Sequence, residues 1–453
     1  MSIVFNQSKV GSSYKSLVPC QKSHSQRSAL KGLTPQNVKY LKSLGLKLRG
    51  KKPIIFDESI AHYEIHAHQP FASSTLNNND EIRIAVQHQD LYVLPCKISL
   101  DICGRLTKAD GTTVTTATKF VNNGICHLFE EIRYELNAVE VDRCKNVGVT
   151  TLMKNYISQS PSQTFLLENA GWIVQEDKKM TDNEGYFNIS IPLSMILGFA
   201  EDYQRIIMNA KHELILTRSH NDSNAVLQAE PAQGAVAETF KISLTKLEWM
   251  ISYIKVADSR KVQLLNYIAK DTPTPISFRA WELYEYPLLP RTSKHFWVVK
   301  WSTQLEKPRY VIVGFQSSRK NHMYSNASNF DHCSIRDVKL FLNSQSYPYG
   351  NLNLDIAHNQ YALLYNMYTD FQASYYGKEP DPLLNRETFL KTAPLIVIDC
   401  SEQNEFLKSG PVDIRLEFES TQTFSDTTTA YCLIIHDRII EYKPLSGGMK
   451  KMI

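Results

Sequence analysis

An internal repeat constrains the fold of this chain more than any other feature of its sequence. A strand–loop–helix pattern over residues 330–371 has an earlier counterpart over residues 120–158. In the later copy, Val338, Leu340 and Leu342 take alternate positions, which is the period of a strand with one buried face. The copies lie roughly 200 residues apart, far more than the ~20–50 residues of solenoid repeats, so the pattern indicates a duplicated domain.

Further correspondences follow in the same order along both halves of the chain. An apolar helix face follows each strand, at Leu364, Tyr368 and Phe371 in the later copy and at Leu152 and Tyr156 in the earlier one. At the strand ends, YELN matches LFLN. Downstream, IPLSMILGFAEDYQRIIMNAKHELILTR resembles APLIVIDCSEQNEFLKSGPVDIRLEFE, and EWMISYIK resembles DRIIEYKP. Four pairings in one order favour duplication over coincidence.

Each half of the chain has about eight candidate strands, separated by turn signals and long crossing loops. We therefore predict a mainly β fold of two tandem eight-stranded jelly-roll β-sandwiches, a double jelly roll, with short helices in the crossing loops. The predicted divisions are a basic N-terminal arm with a short amphipathic helix (1–52), a first jelly roll (53–255), a linker (256–275), a second jelly roll (276–445) and a mobile tail (446–453).

Several elements can be predicted in more detail from their apolar periodicity. Single strands are expected over 91–105 and 164–167, and a helical crossing over 195–209. Residues 295–317 are expected to form two neighbouring strands of the second roll. The linker is expected to carry a short helix before its Thr-Pro-Thr-Pro segment.

The composition argues against membrane insertion, secretion and a disulfide framework. No run of ~18 apolar residues exists, so no transmembrane segment is predicted. The N-terminus has no apolar core of the kind that a signal peptide needs. The eight Cys are scattered without a CxxC pair, which indicates reduced, buried thiols rather than disulfides or zinc ligands.

Charge is distributed unevenly between the N-terminus and the rest of the chain. Residues 1–52 hold eleven Lys and Arg and no Asp or Glu, so the remainder has a net charge of −7. Thr34 suits a helix N-cap and Pro35 the first helical position, which predicts a short basic helix there. That helix could be a solvated docking helix, a nuclear import signal, or a helix on the inner side of an assembly near nucleic acid. The candidate contact residues are Lys39, Lys42, Lys47, Arg49, Lys51 and Lys52.

The best metal-ligand candidates are His62, His66 and His68 in AHYEIHAHQ. Alternate residues of a strand share a face, so two of these rings could bind one ion. However, no Glu follows at the spacing that a cupin site uses, and a distant third His is not identifiable. We therefore predict no metal site.

Catalytic motifs give no positive signal for an enzyme. Asp331, His332 and Cys333 are a nominal set of reactive side chains, but adjacent residues of a strand point to opposite faces. The sequence holds no GxGxxG, GxxxxGK[ST], GxSxG or HExxH motif. No enzymatic activity and no cofactor are predicted.

The sequence resembles a known group at FVNNGICHLFEEIRYELNAVEVDRCKNVGVTTLMKNYIS, RDVKLFLNSQSYPYGNLNLD and LTPQNVKYLKSLGLKL. It resembles, over nearly the whole chain, the double jelly-roll major capsid proteins of Polinton-like elements and adintovirus-like viruses, in the adenovirus hexon-type lineage. The resemblance implies homotrimers of pseudo-hexameric shape that self-assemble into an icosahedral shell around a DNA genome.

The same resemblance implies a virion location, with assembly in the host nucleus or cytoplasm. It implies minor capsid and penton proteins as further partners, and an arm that makes assembly contacts or weak, non-specific contact with packaged DNA inside the shell. Two alternatives remain open at this point. One is a lectin-like or receptor-binding double β-sandwich, and the other, less favoured, is a cupin-like metalloenzyme.

Overall fold

Two β-sandwiches follow one another along the chain. The computed structural model describes residues 60–71, 76–88, 91–115, 117–173, 178–233, 236–300, 308–402 and 412–452. The predicted arm, 1–52, lies outside these residues.

The first sandwich packs two antiparallel four-stranded sheets face to face, in the orders β1–β11–β4–β8 and β2–β9–β6–β7. The short strand β3 also pairs with β11, and β5 and β10 form a separate two-stranded sheet. The strands are β1 (Ile60–His68), β2 (Glu81–Val86), β3 (Tyr92–Val93), β4 (Ser99–Thr107), β5 (Thr118–Phe120), β6 (Phe129–Leu136), β7 (Val139–Lys145), β8 (Tyr186–Pro192), β9 (His212–Arg218), β10 (Val226–Gln228) and β11 (Lys241–Val256).

The second sandwich repeats this plan, in the orders β12–β19–β14–β17 and β13–β18–β15–β16. Its strands are β12 (Thr274–Tyr286), β13 (Lys294–Lys300), β14 (Pro308–Ser317), β15 (Ile335–Leu342), β16 (Gln345–Tyr347), β17 (Ile396–Asp399), β18 (Ile414–Ser420), β19 (Thr428–Tyr442) and β20 (Met449–Lys451).

The strand order is the same in both halves. Counted over the eight main strands of each half, one sheet runs first–eighth–third–sixth and the other second–seventh–fourth–fifth. This winding defines a jelly roll, so the prediction of a double jelly roll is confirmed. The pairings found in the sequence fall on equivalent strands: YELN and LFLN span the ends of β6 and β15, EWMISYIK lies in β11, and DRIIEYKP spans the end of β19.

Helices occupy the crossing loops. The helices are α1 (Val147–Ser158), α2 (Thr164–Leu167), α3 (Gly198–Asp202), α4 (Asp258–Ala269), α5 (Ala362–Tyr376) and α6 (Arg386–Thr392). Helices α1 and α5 each follow the fifth main strand of their roll, as the repeat predicts. The segment predicted as the linker, 256–275, holds α4 and the first residues of β12.

One hydrophobic core runs through both rolls. Buried side chains from β4, α1, β12 and β14 belong to the same packed cluster, and a smaller one lies around α4 and β3. Sheet strands with one covered face alternate buried and partly exposed residues, as in β4 and β15. Strand β14 is buried on both faces, as predicted for the second strand of the 295–317 segment.

Some local predictions are wrong. The predicted strand 164–167 is the short helix α2, because Ser160 and Gln163 form a capping box that begins helical structure just before it. The predicted strand 91–105 is divided into β3 and β4 by a 3₁₀ turn that begins at Pro95. The crossing 195–209 contains only the five residues of α3 as α-helix.

One prediction about neighbouring strands is also wrong. Strands β13 and β14 are not neighbours but lie in opposite sheets, because the second and third strands of a jelly roll belong to different sheets. The tail predicted to be mobile, 446–453, contains β20, and its mobility stays a prediction. The chain turns at Gly447, whose φ is 70°, and Lys450 then pairs with Glu441 of β19.

Candidate functional site

A buried charged cluster joins the two jelly rolls. Lys154 projects from α1 of the first roll and is only 1% exposed. Its Nζ lies 3.1 Å from a carboxylate oxygen of Glu201 and 3.0 Å from the Tyr376 hydroxyl of the second roll. It also lies 4.5 Å from the ring centre of Trp281 on β12. Burial lowers the pKa of Lys154, while Glu201 acts in the opposite direction.

A second ion pair crosses the same junction. Arg279 on β12 contacts both carboxylate oxygens of Asp202, at 2.8 and 2.6 Å. Its guanidinium lies 3.4 Å from the ring centre of Tyr375 on α5 and donates to the Tyr375 carbonyl oxygen at 2.8 Å. Burial by itself would lower the pKa of Arg279, but the hydrogen bonds to Asp202 and the nearby acidic groups raise it. Two hydrogen bonds in this planar geometry fix orientation as well as distance.

The backbone also takes part in contacts between the two rolls. At Gly198, the first residue of α3, an added Cβ would lie 1.8 Å from the Arg279 carbonyl oxygen and 3.1 Å from Nε1 of Trp281. Only a residue without a side chain allows this approach. The Tyr156 hydroxyl donates to the Ser328 carbonyl oxygen at 3.2 Å, on the opposite side of the junction.

The role of these contacts is structural: they hold the two rolls together. They connect α1 and α3 of the first roll with β12 and α5 of the second through charged and aromatic side chains. Such a junction holds two sandwiches in one relative orientation. This junction could not be predicted from the sequence, because its partners lie far apart in the chain.

Exposed apolar side chains mark surfaces that a partner could cover. Phe165 and Leu166 on α2 are 76% and 77% exposed. Phe296 is 60% exposed on β13, and Ile65 is 57% exposed on β1. Strands β1 and β13 both lie at the edge of their sheets, where free backbone groups can also pair. Exposed apolar groups on edge strands favour contact with other chains.

The candidate arm residues lie outside the described part of the chain: Lys39, Lys42, Lys47, Arg49, Lys51 and Lys52. Their predicted role therefore stays a prediction. Among the described residues, no helix combines the length and the apolar character that crossing a membrane requires.

The nominal triad in the second roll does not converge. Asp331 accepts a hydrogen bond from Arg319 at 2.6 Å, while Nδ1 of His332 accepts from the Ser334 backbone N–H at 2.9 Å. Burial raises the pKa of the Cys333 thiol to about 12, which leaves it protonated near neutral pH. Asp331 and His332 therefore contact Arg319 and the Ser334 backbone, and the absence of a nucleophile site here stays a prediction.

The histidines of β1 meet a third histidine that the sequence did not identify. His66 and His68 lie on one face of β1, and His88 follows β2 of the opposite sheet. One ring nitrogen from each lies within 4.8 Å of the others. Burial, then the neighbouring His88 and His66, lower the pKa of His68. His62 is separate from this cluster and contacts Glu64 at 3.3 Å.

The fold and the rigid junction define a mainly β protein of two fused jelly rolls. A family model described as a double jelly roll-like domain matches residues 118–440. The chain belongs to this family.

Solved structures of viral major capsid proteins share the fold. PBCV-1 VP54, fitted into a reconstruction of the virophage Sputnik, has a TM-score of 0.58 at 9% identity, over 89% of this chain and 99% of its own. The Faustovirus major capsid protein has a TM-score of 0.57 at 9% identity, over 90% and 94%. The mavirus major capsid protein has a TM-score of 0.53 at 10% identity, over 97% and 96%. A comparison with curated proteins gives no match.

Proposed function

We propose that this chain is a viral major capsid protein that assembles through pseudo-hexameric homotrimers into an icosahedral shell around a DNA genome. The observation that carries the proposal is the pair of jelly rolls with identical strand order, fixed together by a buried junction. Membership of the double jelly roll-like family and the fold shared with three major capsid proteins support it. The Polinton-like and adintovirus-like lineage is part of the proposal and rests on the sequence resemblance.

The trimer follows from the geometry of a duplicated subunit. Two similar blocks held at a fixed angle give six similar blocks around a three-fold axis, which tile a hexagonal lattice. Contacts that repeat head to tail close into a ring when the rotation allows. Interfaces of obligate assemblies bury more than ~2,000 Å² and are apolar at the centre. The exposed side chains of β1, β13 and α2 supply apolar area of this kind.

The test is the oligomeric state and particle formation of the purified chain. Light scattering coupled to gel filtration should give three times the chain mass, and negative-stain microscopy should show capsomers of hexagonal outline. Monomer at every protein and salt concentration would count against the proposal. Binding of glycans by a protein that never self-associates would favour the lectin-like alternative instead.

The basic arm is proposed to face the shell interior. Its six candidate residues would contact neighbouring subunits and make weak, sequence-independent contact with DNA. Deletion of residues 1–52 should leave capsomers intact but give fewer or emptier shells. If DNA is bound, its affinity should fall with salt by about −0.9 in log–log slope for each neutralised phosphate. Normal, genome-filled particles from the deletion would refute the role of the arm.

Location and partners follow from the same proposal. The protein would reside in the virion after assembly in the host nucleus or cytoplasm, and would bind minor capsid and penton proteins. Immunogold labelling of purified particles tests the location. Co-purification of other particle proteins with the shell tests the partners.

A further inference from the structure

We propose that His66, His68 and His88 form a binding site for a divalent transition metal, with zinc as the representative ion, at the edge of the first jelly roll. The proposal rests on the convergence of three imidazoles from two different sheets. One ring nitrogen of each lies within 4.8 Å of the other two. Their ring centres lie 6.3, 6.1 and 6.4 Å apart, so the three rings surround one point rather than form a row.

The fold explains why these three residues meet. His66 and His68 are two positions apart on β1 and therefore project from the same face. They lie opposite Ile251 and Trp249 of β11, on the side of the sheet that faces the core. Strand β1 is the edge of its sheet, and β2 is the edge of the other. His88 leaves the end of β2 and reaches across the open edge between the two sheets.

Two neighbours are arranged to hold the rings. Nε2 of His66 lies 2.7 Å from a carboxylate oxygen of Glu64. A carboxylate on one ring nitrogen fixes the tautomer and raises the basicity of the other, as in many metal sites. The buried Tyr253 lies beneath the cluster, with its hydroxyl 3.1 Å from Nε2 of His68 and its ring against all three imidazoles.

The three ring nitrogens lie somewhat farther apart than the ligands of a bound zinc ion, so the site would close around its ion by a small movement. Zinc binds histidine nitrogens at about 2.0–2.1 Å, which places two tetrahedral ligands about 3.4 Å apart. Closing from 4.8 Å requires shifts of about 1.4 Å in total, within the range of small rotations of an exposed side chain such as His88. Three histidines leave a fourth position for water or another ligand.

The donor set selects the class of ion. Neutral imidazoles suit zinc, copper and nickel, whereas calcium and magnesium bind oxygen donors. An ion held by β1 and by His88 beyond the end of β2 would connect an edge strand of one sheet with an edge strand of the other. Because the unfolded chain does not present this arrangement, binding should stabilise the folded state.

The test is zinc binding by the full chain, produced without a histidine tag and treated with EDTA. Competition against a chromophoric zinc chelator, with zinc content measured by mass spectrometry, should give one tightly bound ion per chain. The thermal unfolding midpoint should rise on zinc addition. His66→Ala and His88→Ala should each lower the affinity by about 100-fold or more, and Glu64→Gln should lower it by about 10-fold.

The matched control is His62→Ala, which changes a histidine of the same strand that contacts Glu64 but lies outside the cluster. It should retain one zinc per chain and the same stabilisation. Absence of bound zinc in the unmodified chain would overturn the proposal. Binding that is equally weakened by His62→Ala, or unaffected by His88→Ala, would overturn it too. Circular dichroism of each variant without zinc checks that a loss of binding is not a loss of folding.

Discussion

At the scale of single residues, Gly198 is a position where the backbone of one roll approaches that of the other too closely for a side chain. Gly198→Ala should destabilise the protein by about 1–3 kcal/mol, because its Cβ would meet the Arg279 carbonyl oxygen at 1.8 Å and force the rolls apart. Chemical denaturation of the two proteins measures this difference. Gly350→Ala is the control, since an added Cβ there meets no atom within 4 Å and should change the stability little. Equal stability of both variants would contradict this account of the junction.

Two buried histidines predict sensitivity to acid. Burial lowers the pKa of His127 to about 4 and that of His212 to about 3, from an ordinary value of 6.5. The unfolded chain therefore binds more protons below pH 6.5, so stability is complete above that pH and is lost as the pH falls towards these values. Each group contributes a loss of about 1.4 kcal/mol per pH unit in this window. Asp142 has the opposite effect on stability. Because burial raises its pKa to about 6, its protonation stabilises the folded state as the pH falls from about 6 to 3.8.

The contribution of one histidine can be isolated by substitution. His212→Gln removes the titration but keeps a hydrogen-bonding group near the Tyr134 hydroxyl, which lies 2.6 Å from Nδ1 of His212. From pH 7 to pH 5 the unmodified protein should lose about 2 kcal/mol more than the variant. The thermal unfolding midpoint at both pH values is the measurement. His358→Gln, at an exposed histidine, should show the full acid sensitivity, and an equal loss in all three proteins would argue against the prediction.

At the scale of elements, β14 is a strand of the second roll that is buried on both faces. Val313 is fully buried between Cys432 of β19 and Ile396 of β17. Val313→Asp should abolish folding or cost several kcal/mol, because it places an unpaired charge in the core. Val298→Asp on the exposed face of β13 is the control and should fold. Yield of soluble protein and far-ultraviolet circular dichroism report the result, and a well-folded Val313 variant would refute this placement.

Element predictions succeeded where periodicity was long and failed where it was short. Apolar periodicity predicts strands over 60–68 and 241–254. The observed β1 has the same bounds and β11 ends two residues later, since burial on the sheet dominates such strands. The four residues 164–167, three of them apolar, fit a strand or a helical turn equally well. Only the capping residues Ser160 and Gln163 separate the two. The pattern of a single strand does not show which strand lies beside it. The prediction that β13 and β14 are neighbours fails for this reason.

At the scale of the whole molecule, the duplication made the architecture predictable. Equivalent patterns in the two halves require equivalent sheets, and the observed orders agree. Contacts between segments distant in sequence could not be predicted in this way. His88 follows a strand of a different sheet from that of His66, and Arg279 lies in a different roll from Asp202. Both contacts form only in the folded structure, and neither His88 nor Arg279 belongs to a local sequence motif.

The continuous core and the charged junction predict that the two rolls unfold together. Differential scanning calorimetry at fixed concentration should give a single transition for the unmodified chain. Arg279→Ala removes a cation from the partly buried carboxylate of Asp202 and should weaken the junction by about 2–3 kcal/mol, separating the transition into two.

Arg291→Ala is a matched control. Arg291 contacts Asp426 at the same 2.6 Å, but this ion pair is exposed and lies within one roll. That substitution should cost less than about 1 kcal/mol and keep the single transition. Two transitions in the unmodified protein, or identical behaviour of the two variants, would mean that the rolls are independent domains and that the junction does not set their orientation.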